Sequence, residues 1–84
     1  MALYYFHLRD GTDILLDPEG RELPSLAAVA AAALRDARSI ISDAARNGQI
    51  LFDQQIDVED SGGRVVHSLQ FEDAVKIVRD RRTG

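Results

Sequence analysis

The longest periodic stretch of the chain is Ser25 to Asn47, SLAAVAAAALRDARSIISDAARN. It sets Leu26, Val29, Ala30, Ala33, Leu34, Ala37, Ile40, Ile41 and Ala44 on one stripe at helical spacing. Arg35, Arg38, Ser39, Ser42 and Arg46 fall on the opposite side. The pattern predicts an amphipathic helix with one buried face, started by Pro24 and Ser25 and stopped by Gly48. At about 1.5 Å per residue it makes a rod of roughly 34 Å, as long as a small domain is wide, so the remaining elements are expected to pack along it. Arg35, Asp36, Arg38 and Asp43 interrupt the apolar positions and exclude a membrane span.

Outside this stretch the period drops to two. Leu3 to Leu8 alternates, with Tyr4, Phe6 and Leu8 toward a core and Leu3, Tyr5 and His7 on the other face. Arg9-Asp10-Gly11-Thr12 reads as a hairpin turn, Asp13 to Asp17 as the returning strand, and Pro18-Glu19-Gly20 as its end. Arg21 to Pro24 then leads into the helix. Gly48 to Gln54 is a connector, and Gln55 to Asp60 alternates again, with Ile56 and Val58 inward and Asp57 and Glu59 outward. Ser61-Gly62-Gly63 turns the chain into a fourth strand, Arg64 to Phe71, where Val65, Leu69 and Phe71 share a face with His67. Glu72 to Arg82 carries apolar residues at helical spacing and predicts a short C-terminal helix. The order ββαββα predicts a two-layer α+β fold, a four-stranded, largely antiparallel sheet packed on one long helix, with strand order 2-1-3-4. Two strand edges and one sheet face are then left uncovered.

A chain of 84 residues reads as one domain, 1–84, ending in a basic segment, 72–84. Such a domain buries only about 60 to 65% of its unfolded surface, which leaves little room for a deep substrate cavity. There is no cysteine, so disulfides, thiolate nucleophiles and thiolate metal sites are excluded. The opening MALYYFHL lacks the basic and apolar regions of a secretory signal, and a cytoplasmic setting is expected. Net charge is −4, unevenly spread: −7 over residues 1 to 75 and +3 over residues 76 to 84. The acidic body disfavours nucleic-acid binding, which draws on clustered Lys and Arg.

Candidate chemistry is sparse. His7 is expected on the outer sheet face and His67 on the core side, so the two cannot share a metal. If the first and third strands are neighbours, Tyr5, His7, Asp57 and Glu59 form a small polar cluster on the outer face. The carboxylates do not follow the spacing of a calcium loop, and Gly62-Gly63 lacks the lysine of a phosphate loop. No catalytic, cofactor-binding or metal-binding set is predicted. The remaining candidate contact surfaces are the basic Lys76, Arg79, Arg81 and Arg82, and the alanines Ala27, Ala28, Ala31 and Ala32 outside the core stripe.

The residues also carry a resemblance. YYFHLRDG at 4–11, DPEGRELP at 17–24, the alanine-rich helix, and then IDVEDSGGRV and LQFEDA resemble a family of small uncharacterised bacterial proteins, a domain of unknown function. The resemblance implies no activity and no catalytic residue; it groups His7, Asp10, Gly11, Gly20, Leu23 and Pro24 into one structural signature. At the level of fold alone the chain is also similar to small antitoxin-like domains. The expected function is that of a non-enzymatic interaction module without cofactor, self-associating as a homodimer or binding an unknown protein partner. The alternative is an antitoxin-like or regulatory protein that binds a protein or nucleic acid through its basic C-terminus.

Overall fold

Gly11 makes the first turn: its φ of 61°, followed by Thr12 at ordinary φ, allows a two-residue loop between Asp10 and Asp13. The computed structural model describes residues 1–79. Its elements are β1 (Ala2–Asp10), β2 (Asp13–Leu15), β3 (Arg21–Leu23), α1 (Leu26–Arg46), β4 (Gln54–Asp60), β5 (Val65–Gln70) and a 3₁₀ turn at Phe71–Asp73. The fold is α+β, an open antiparallel sheet packed with one long helix. The sheet order is β2-β1-β4-β5, the predicted 2-1-3-4, and β3 also pairs with β1.

The returning strand is shorter than its sequence suggested. Leu16 and Asp17 leave the ladder, and the chain rejoins the same edge of β1 as β3, where Arg21 to Leu23 pair with Tyr4 to Ala2. β2 and β3 therefore share one edge of β1, with a gap opposite its middle.

The helix has the punctuation the sequence predicts. The Ser25 hydroxyl accepts from the Ala28 N–H at 3.1 Å, and Gly48, at φ 82°, closes the other end. The N–H groups of Gly48 and Gln49 return to the carbonyls of Ala45 and Ala44, the paired bonds of a Schellman motif. The buried face is rotated from the predicted stripe. Ala32 is fully buried beside Val29, Ala33 and Ala37, whereas Leu26 in the first turn is 56% exposed. Small side chains let α1 approach Phe6, Ile56, Val58, Phe71 and Ala74, which complete the core.

Two further corrections concern the second hairpin and the chain end. A bulge at Glu59 shifts the register of β5, so Val65 points to solvent and Val66 packs against the core. The predicted helix from Glu72 is a single 3₁₀ turn among the described residues. Its C-terminal side is held by Arg38 Nε, which donates to the Ala74 carbonyl at 2.8 Å, and Lys76 to Arg79 follow in no regular element.

Substituting Ala33→Leu should overpack the helix–sheet seam and lower stability by about 1–3 kcal/mol, while Ala31→Leu on the exposed side should change it by less than about 0.5 kcal/mol. Urea unfolding of the two variants checks this; equal effects would contradict the seam described here.

Candidate functional site

On the face of the sheet away from α1, antiparallel register sets Tyr5, His7 and Arg9 of β1 beside Glu59, Asp57 and Gln55 of β4. Ser68 of β5 lies on the far side of Asp57. The four residues predicted to cluster, Tyr5, His7, Asp57 and Glu59, do come together. They do not form an open surface, because His7 and Asp57 are buried.

Asp57 is the centre of the network. Its carboxylate accepts from Gln55 Nε2 at 2.8 Å, Ser68 Oγ at 2.9 Å and Arg9 Nε at 3.1 Å. Burial alone would push this carboxyl up, but the bonds from Gln55, Ser68 and Arg9, with the Arg9 charge, outweigh it and hold the group below its ordinary value.

His7 is held by a main-chain donor. Its Nδ1 accepts from the Asp17 N–H at 3.0 Å, which places the ring proton on Nε2, 3.6 Å from a Glu59 carboxylate oxygen. The Tyr5 ring lies nearly parallel to the imidazole, with centroids 6.4 Å apart.

Asp17 completes the arrangement from the other direction. One carboxylate oxygen accepts from the Phe6 N–H at 3.1 Å, and the other accepts from the N–H groups of Glu19 and Gly20 at 3.2 and 3.1 Å. Burial again acts to raise this carboxyl, and the donors Phe6, Gly20 and Glu19, helped by the Arg21 charge, hold it below its usual value. The Asp17 side chain thus fills the gap between β2 and β3. Gly20 is required by this geometry: its φ is 75°, and a Cβ there would lie 3.0 Å from the Tyr4 carbonyl oxygen. Arg21 stacks its guanidinium 4.1 Å above the Phe6 ring and pairs with Asp36 of α1.

This chemistry is that of a closed network. The Ser68 hydroxyl donates to Asp57, a carboxylate that Gln55 and Arg9 also engage and that is held below its ordinary value, and the Nδ1 lone pair of His7 is occupied. Among the described residues, no buried side-chain nitrogen or oxygen lacks a partner, and no cluster of three or more His or acidic residues is placed to hold a metal. A shallow groove of about 490 Å³ runs beside the Asp17 loop, lined by Phe6, Leu8, Leu15, Leu16 and Pro18. Arg21 at its rim is committed to Asp36. Lys76 and Arg79 are exposed at the end of the described residues; Arg81 and Arg82 lie outside them.

Asp17, Arg9, Gln55 and Ser68 were absent from the predicted cluster. Asp17 carried a readable signal, because an Asp followed by Pro, one further residue and Gly is a turn in which the carboxylate binds its own downstream N–H groups. Residues 3–72 match the family model of a domain of unknown function, DUF6894. The chain belongs to this family. The match spans β1 to the 3₁₀ turn, so it includes the whole outer-face network and the Asp17 loop. No curated protein and no solved structure matches the chain.

Both Asp17 and Asp57 have lower folded than unfolded values, so their contribution to stability is complete above about pH 4 and is lost as pH falls through the folded values. Asp57→Asn should lower stability at pH 7 and flatten the acid limb measured by urea unfolding from pH 2 to 7; an unchanged limb would count against the network. Gly20→Ala should cost about 1–3 kcal/mol in the same assay, from the strained φ and the contact with Tyr4.

Proposed function

We propose that this domain is a non-enzymatic interaction module that binds protein partners by adding their strand to the free edge of β5. The observation that carries the reading is the contrast between the two edges of the sheet. Proteins protect exposed strand edges with short strands, charges, bulges or covering segments. The β1 edge has such protection: two strands of three residues each, charged Asp13, Arg21 and Glu22, and the Asp17 carboxylate on the one N–H between them. β5 has six residues, VVHSLQ, with no charge and no proline, and only the bulge at its start.

Ladder alternation gives the direction of the free groups. The Phe6 N–H points toward the β2 side, so Tyr5, His7 and Arg9 bond β4, and Ile56 and Val58 bond Leu69 and His67. Ser68 and the Gln70 N–H therefore aim outward from the β4–β5 ladder, while the Gln70 carbonyl caps the 3₁₀ turn. Strand addition at such an edge supplies affinity through main-chain bonds and needs no cavity. The closed outer-face network supports a binding role over a catalytic one. The reading goes with a cytoplasmic setting, which a chain without cysteine suits.

Gln70 offers a clean test, because its φ of −81° already fits proline and its N–H points away from β4. Gln70→Pro should leave the circular dichroism spectrum and melting temperature nearly unchanged while abolishing co-purification of partner chains, including untagged copies, with the tagged protein from cells. Retention of the same chains by the folded variant would overturn the reading.

A further inference from the structure

Resting on the strand-addition reading, we infer that the partner strand is β5 of a second copy of this chain, paired antiparallel about a two-fold axis. β5 carries no charge, so two copies meet along the edge without like charges opposing each other. The charges lie just outside it. Exposed Arg64 precedes the strand, and exposed Glu72 and Asp73 follow it. None of the three makes a salt bridge among the described residues.

Antiparallel pairing sets Arg64 of each copy at the Glu72–Asp73 turn of the other, and the two-fold axis makes this contact twice. Parallel pairing would place Arg64 beside Arg64 and acid beside acid. The antiparallel interface is isologous and closes at two. The joined sheet would run β2-β1-β4-β5-β5-β4-β1-β2, ending on each side in the three-residue strands β2 and β3 with the Asp17 turn between them. Growth beyond a dimer is opposed by that short, charged and interrupted edge.

Because the chain has no cysteine, single-cysteine variants report the contact directly. Light scattering of the intact chain should give twice 9.3 kDa. Ser68→Cys should form a disulfide-linked dimer under mild oxidation. Ile14→Cys should not, since in the joined sheet the two positions lie seven strand spacings, about 34 Å, apart. Arg64→Glu should weaken the dimer several-fold, and adding Glu72→Arg should restore it. A monomer at every concentration, with Ser68→Cys uncrosslinked, overturns the second copy as partner; the strand-addition reading then survives if partner capture still depends on Gln70. A dimer that crosslinks through Ile14 and not Ser68 overturns the β5 edge, and both readings fall.

Discussion

The N–H of Phe6 is the group around which the first third of the chain is arranged. β1 is nine residues long, but the strands along one of its edges are three residues each, and the N–H between them faces no carbonyl. A main-chain donor left unpaired in a partly buried site costs on the order of 1–3 kcal/mol. The Asp17 carboxylate accepts from it, and the Asp17 N–H donates to His7 on the other side of the same strand. Because the carboxylate must also bind its own turn, only glycine fits at position 20. That turn delivers Arg21 to Leu23 back to β1 in register, and Pro24 and Ser25 then start the helix. One side chain therefore links the edge of the sheet to the placement of α1.

The same interaction changes the meaning of the histidine. A buried His beside a carboxylate and a tyrosine has the outward look of a reactive group. Here Nδ1 accepts a hydrogen bond from the Asp17 N–H, Nε2 lies 3.6 Å from a Glu59 carboxylate oxygen, and Asp57 accepts from Arg9, Gln55 and Ser68. The outer face is stabilised by a network in which the His7 Nδ1 and the Asp57 carboxylate are both engaged. Among the described residues, β5 is the terminal strand on the other side of the sheet.

Much of this architecture was legible in the sequence. Period 3.6 across Val29, Ala33 and Ala37, with Ser25 and Gly48 at the ends, placed the helix, and period two placed β1, β4 and the polar cluster of Tyr5, His7, Asp57 and Glu59. The hidden parts are those where a local pattern is overruled by a distant contact. Arg21 to Leu23 has no strand signature and becomes β3 only because the Asp17 turn aims it at β1. The bulge reverses Val65 and Val66, which alternation alone cannot foresee. Glu72 to Val78 has helical spacing, but Phe71 and Ala74 are drawn into the core and Arg38 takes the Ala74 carbonyl, so the turn does not propagate. Ala32 replaced Leu26 in the seam because the helix approaches the sheet through its small residues.

The claim on which this account rests is that His7 is an acceptor built into the fold. Nitrogen NMR of the imidazole, recorded at pH 8 with the Asp17 amide labelled, reads it directly. The account predicts a bare Nδ1, a proton on Nε2, and a coupling between Nδ1 and the Asp17 nitrogen across their hydrogen bond. A proton on Nδ1, or a ring that exchanges tautomers and shows no coupling, would contradict it.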